Sequence, residues 1–184
     1  MKAFIVLGSR NPEGRTASAA AALARGIKRA GGEVEQVFLT EQQIERCRQC
    51  ESNGWGLCRS EGRCIIEDDL ASIAAKIKEA DVAVFVTPVY FGDLSESMRA
   101  FLDRLRRAYR HENSKTGISG KLAVGICVAG GGGGGAPNCC LSLERALSSA
   151  GFDVVDLVPA RRQNLDLKLR VLEVEGEWLA GQSG

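Results

Sequence analysis

Four of the seven cysteines in this 184-residue chain crowd one segment. They run Cys47-Arg48-Gln49-Cys50, then Cys58, then Cys64 shortly before Asp68-Asp69, a C-x2-C-x7-C-x5-C spacing. A C-x2-C pair lets two thiolates meet one metal, and two further cysteines complete a tetrahedral or cubane donor set. Zinc, a cluster, reduced structural thiols and a reversible disulfide are all open to residues of this type and spacing. The other three cysteines read as packing: Cys127 as a core thiol, Cys139 and Cys140 as residues opening a helix.

A second constellation is spread over three loops. Six consecutive glycines, Gly130 to Gly135, follow directly on the apolar run Leu122 to Val128. Glycine loses the most backbone entropy on folding, so it is placed where φ must be positive or where the backbone must approach something closely. A flexible linker is the other use of such a run, but this one joins a strand pattern to a helix pattern, which favours close approach. Near the N-terminus, Gly8-Ser9-Arg10-Asn11-Pro12-Glu13-Gly14-Arg15-Thr16-Ala17 delivers the chain to a helix start. Free N–H groups and the positive dipole end gather there and can hold a phosphate; a plain helix start capped by Thr16 is the alternative. The loop has neither the Gly-Lys-Ser/Thr of a P-loop nor GxGxxG. The third stretch, Thr87-Pro88-Val89-Tyr90-Phe91-Gly92-Asp93-Leu94-Ser95, sets two adjacent aromatics before a glycine. They read as a pocket wall or as a plug for the end of a sheet.

These loops need a scaffold, and the periodicity supplies one. Apolar, β-branched runs at Ala3 to Leu7, Val34 to Phe38, Val82 to Thr87, Lys121 to Ala129 and Phe152 to Val158 read as strands buried on both faces. Between them Thr16 to Ala30, Asp69 to Ala80, Ser95 to Arg110 and Cys139 to Ala150 read as helices. The tail from Arg161 to Ala180 fits a strand or a helix, and a closing helix is the preferred reading. Alternation of this kind predicts a doubly wound α/β domain, with a five-stranded parallel sheet and helices on both faces. Ligands bind such sheets beyond the carboxyl ends of the strands, where the strand order reverses. All three loops are expected there.

Composition narrows the partners. Lysine plus arginine (24) nearly balances aspartate plus glutamate (23), so no field of one sign draws the chain to nucleic acid or to an anionic membrane. The apolar run in MKAFIVLGSR is shorter than a signal-peptide core, and no later stretch reaches transmembrane length. A single cytoplasmic domain over 1–184 with a small partner is the expectation, the cysteine-rich segment at 43–66 following the second strand.

In this order and spacing, Gly8-Ser9 with Gly14-x-Thr16, Thr87 to Phe91 leading through Ser95, Met98 and Phe101 to Asp103-Arg104, and the glycine run resemble the flavodoxin-like NADPH-dependent FMN reductases and the related iron-sulfur flavoproteins. The resemblance covers Lys2 to about Ala150. It implies a flavodoxin-like fold and an FMN whose phosphate sits at Ser9, Arg10, Thr16, Ala17 and Ser18. The ring would lie between Pro88, Val89, Tyr90 and Phe91 on one side and Ala129, Gly130, Gly131, Gly132 and Gly133 on the other. Arg10 and Arg15 stand where relatives usually carry Pro and Asn, with the count from Ser9 to Thr16 unchanged. The implied activity is transfer of electrons from NAD(P)H through FMN to a small acceptor such as a flavin or quinone, with no general base required. The alternative is an electron-transfer protein serving a redox-protein partner, with a [4Fe-4S] cluster on Cys47, Cys50, Cys58 and Cys64; the middle gap is longer here than in those relatives. Relatives also imply a homodimer or homotetramer. His111, near the end of the third helix, reads as a surface residue, and Asp103-Arg104 as a structural or subunit contact.

Overall fold

The computed structural model describes residues 1–109 and 118–182. His111 and the expected end of the third helix at Arg110 lie outside the described residues. Five strands, β1 (Lys2–Leu7), β2 (Glu33–Phe38), β3 (Val82–Pro88), β4 (Leu122–Ala129) and β5 (Asp153–Arg161), pair in parallel in the order β2-β1-β3-β4-β5. The helices are α1 (Arg15–Arg29), the single turn α2 (Leu57–Ser60), α3 (Leu70–Glu79), α4 (Glu96–Tyr109), α5 (Ala136–Ala150) and α6 (Leu165–Gly181). The chain leaves β1 towards β2 on one side and returns through β3 on the other. That is the reversal of strand order at which ligands bind.

Alternation along each strand divides the core. Ala3, Ile5 and Leu7 of β1, with Val82, Val84 and Val86 of β3, pack under α1 and α6. Phe4, Val6, Ala83 and Phe85 point the other way, under α3, α4 and α5. Neither face of these central strands meets water, so their sequences are continuous apolar runs.

The tail forms a helix, α6, and it lies against α1. A β-carbon on Gly26 would stand 1.9 Å from the Glu173 carbonyl oxygen, and one on Gly176 would stand 2.2 Å from that of Leu23. The two backbones touch at this crossing, and only glycine fits on either side. Arg25 and Arg29 then bond Glu173 and Glu177 along the same seam. No helix among the described residues is long and apolar enough to cross a membrane.

Candidate functional site

Three loops meet beyond the carboxyl ends of β1, β3 and β4. The first is tied to the start of α4: Ser97 Oγ donates to the Gly8 carbonyl at 3.2 Å, and a β-carbon on Gly8 would collide with Ser95 Oγ at 2.5 Å. Ser95 caps α4, its Oγ accepting from the Met98 N–H at 3.4 Å, while its own N–H donates to Thr87 Oγ1 at 3.2 Å. The loop after β3 is tied to β4 by the Val89 N–H, which donates to the Val128 carbonyl at 3.0 Å.

Between these loops lies a cleft of about 440 Å³ lined by Ser9, Arg15, Thr16, Pro88, Val89, Tyr90, Val128, Gly130, Gly131 and Gly134. The cap of α1 is Gly14, which has no side chain to offer, and Thr16 stands buried within the first turn instead of capping it. Among the described residues the backbone N–H groups of Arg15, Thr16 and Ala17 therefore have no acceptor, and a free first turn of this kind can receive an anion.

The structure brings together Ser9, Thr16, Pro88, Val89, Tyr90, Gly130 and Gly131 of the sequence-predicted residues and leaves the others off the wall. Arg10 is exposed, and the Ser18 hydroxyl is turned back to the Gly14 carbonyl at 3.1 Å. Ala17 and Ala129 are buried in the core. Phe91 is fully exposed, in a tight turn with φ +52°. Gly132 sits at the loop tip, its carbonyl accepting from Gln163 Nε2 at 2.9 Å. Gly133, with φ +78°, packs so closely on Gln163 that a β-carbon would lie 2.1 Å from its Oε1. Sequence reasoning missed Arg15, Val128 and Gly134 as wall residues. Arg15 was legible only as a departure from the relatives' pattern, and the other two depend on how the loop folds.

A second site lies beside the carboxyl half of α4. Cys47, Cys50, Cys58 and Cys64 all line one pocket, together with Arg48, Arg104 and Arg107. Gln49 adopts φ +52°, turning the chain inside the C-x2-C pair so that both thiols reach the pocket. The long middle gap is folded back over α4: Arg107 donates to the Gly54 carbonyl at 2.8 Å and lies 4.5 Å from the Trp55 ring centre, while Gly56 packs on Cys50. Among the described residues no three His, Cys, Asp or Glu side chains converge tightly enough to grip one metal ion.

Arg104 and Asp103 do not pair with one another. Asp103 bonds Arg106 on the same helix, whereas Arg104 turns inward to a buried, two-pronged pair with Asp68, at 2.5 Å and 2.9 Å. Burial pushes the Asp68 carboxyl up, but Arg104 and the N–H groups of Glu45 and Leu70 outweigh it and hold the carboxyl below its usual range. Arg104 Nη2 also donates to Cys64 Sγ at 3.3 Å, and its Nε is buried without an acceptor. Cys127, Cys139 and Cys140 are buried, and hydrogen bonding to the other two thiols, with burial, pushes the Cys127 thiol up.

Comparison with known proteins agrees with this geometry. An iron-sulfur flavoprotein of Methanocaldococcus jannaschii is 33% identical over 131 residues, covering 71% of this chain and 65% of that protein. The chain spans about half to two thirds of the length of the first curated relatives it matches, 65%, 56% and 49%. The solved NAD(P)H:quinone oxidoreductase from Methanothermobacter marburgensis superposes with a TM-score of 0.70 at 19% identity, covering 97% of this chain and 96% of that one. A flavodoxin from the domain Archaea gives 0.59 at 16% identity, covering 98% and 99%. These two establish a shared flavodoxin-like fold. Residues 1–159 match the NADPH-dependent FMN reductase family, and with its parallel five-stranded sheet and three-loop cleft the chain belongs to that family of flavin-using oxidoreductases.

Proposed function

We propose that this chain binds FMN in the three-loop cleft and passes electrons from NAD(P)H to a small acceptor, a flavin or a quinone. The observation that carries the reading is the uncapped first turn of α1, whose Arg15 and Thr16 line the same cleft as Ser9 and the glycine loop. These residues would hold the phosphate. Pro88, Val89 and Tyr90 would cover one side of the ring, and Gly130, Gly131 and Gly134, which bring no β-carbon, would let backbone reach its polar edge. Bound flavin supplies hydride acceptance and release of electrons singly or in pairs. The chain's own task is to orient the ring and leave a face open, and it needs no general base. The test is anaerobic loading with FMN followed by steady-state NAD(P)H oxidation with free flavin or quinone. Turnover supports the reading, and a fully loaded sample without turnover rejects it.

A second reading, an electron-transfer protein with a [4Fe-4S] cluster and a redox-protein partner, is favoured by the cysteine pocket. Its donors are four thiols, its wall carries Arg48, Arg104 and Arg107, and it contains a buried N–H with no acceptor. Such a lining suits an anionic inorganic core, and the M. jannaschii relative's name points the same way. Four irons per chain in anaerobically prepared protein support it; zinc or no metal overturns it.

The reading also takes the chain as one flavodoxin-like unit carrying its cysteine segment at 43–66, cytoplasmic and self-associating. Support for self-association comes from α6, where Leu167, Val171, Val174 and Trp178 are exposed with the 4-3-4 spacing of a coiled-coil seam. Light scattering should give an even-numbered oligomer that Val174→Glu dissociates; a monomeric wild type, or an unaffected variant, overturns this.

A further inference from the structure

We infer that Arg104 fixes the position of the cysteine segment and sets the reduction potential of the cluster it holds, an inference that rests on the cluster reading above. One guanidinium reaches both ends of the segment. Arg104 Nη1 donates to the Glu45 carbonyl at 3.0 Å, just before Cys47, and both terminal nitrogens grip Asp68, just after Cys64. Nη2 adds a contact to the Ile66 carbonyl at 3.5 Å and donates to Cys64 Sγ at 3.3 Å. The side chains of Arg104 and Asp68 are 1% and 4% exposed, so neither charge is screened by water.

A buried ion pair contributes little to stability compared with apolar residues of the same shape, because both ions lose their hydration. Stability therefore does not explain a pair whose arginine also bonds a cysteine sulfur and leaves Nε buried and unpaired. A cluster explains each feature. The thiolate of Cys64 would accept a charge-assisted bond, and the buried Nε–H without an acceptor belongs to a residue that lines the same pocket as the four cysteines. Hydrogen bonds to cluster sulfurs and net charge nearby set the potential of such centres. Reduction adds one electron to the cluster, and a fixed cation beside it favours that more negative form. Asp68, bonded to the same guanidinium, opposes the effect. The two partners should therefore move the potential in opposite directions.

The experiment uses anaerobically prepared, iron-loaded protein, with iron content measured first and the potential then read by redox titration monitored by electron paramagnetic resonance. Arg104→Gln is expected to lower the potential, Arg104→Lys to lower it less, and Asp68→Asn to raise it. Should Arg104→Gln fail to fold, Arg104→Lys and Asp68→Asn still carry the opposite signs. A merely structural arginine predicts variants that keep four irons at the wild-type potential, and that result overturns this inference alone. An iron-free wild type overturns the cluster reading beneath it as well.

Discussion

A β-carbon on Gly135 would stand 2.6 Å from the α-carbon of Gly92. The loop after β3 and the glycine loop after β4 are therefore in backbone contact, and this contact fixes the width of the cleft they line with Tyr90 and Gly134. Gly135 also has φ +82°, which side chains resist. Gly135→Ala is expected to cost about 1–3 kcal/mol and to weaken FMN at least tenfold by forcing the loops apart. Gly132→Ala, where a β-carbon meets nothing within 4 Å, should leave both unchanged. Denaturant midpoints and flavin fluorescence titrations of the two variants check this.

Tyr90 and Asp93 exchange backbone hydrogen bonds at 3.0 Å and 2.9 Å, closing a two-residue hairpin on Phe91 and Gly92. Both central residues have positive φ, +52° and +79°, the geometry of a type I′ turn, in which asparagine is preferred and phenylalanine is not. Phe91→Asn should stabilise the fold by about 1 kcal/mol, read as a higher urea midpoint, with FMN affinity unchanged. A loss of FMN affinity would mean that the ring reaches Phe91 after all.

Glu175 is buried with both carboxylate oxygens unpaired; burial, and secondarily the Asp156 charge, push its pKa up to about 7. The folded state thus holds this proton more tightly than the unfolded chain. The associated stability is fully present below the ordinary glutamate range and is lost as pH rises through about 7. Glu175→Gln should flatten stability between pH 5 and 8 and be the more stable protein at pH 8, by about 3 kcal/mol. Denaturant unfolding at both pH values measures it.

Buried-strand runs, helical periodicity and loop composition made the sheet and the place of the cleft legible, because burial on both faces leaves an unbroken apolar signature in Ala3 to Leu7 and Val82 to Val86. The closing helix was harder to read. Its decisive residues, Gly26 and Gly176, are far apart in sequence and look like poor helix formers until the backbones they join are known. Within the site, residue type identified the loops but not the facing of each side chain. Phe91, expected at the ring, stands exposed in a turn with positive φ, a backbone state its residue type does not signal. Asp103-Arg104 reads as a structural or subunit contact; the partner Asp68, which takes Arg104 inward while Asp103 bonds Arg106, is too far along the chain to be read from type and spacing.

The cleft of Ser9, Arg15, Thr16 and the glycine loop is proposed to hold an FMN that NAD(P)H reduces. Purified protein titrated with FMN under anaerobic conditions, then mixed with NADPH or NADH in a stopped-flow spectrophotometer, tests both parts at once. One FMN per chain is expected, with rapid bleaching of the oxidised flavin bands on mixing and recovery when a quinone or free flavin is added. Protein that binds no FMN, or that binds it and keeps its oxidised spectrum with either nucleotide, would contradict it.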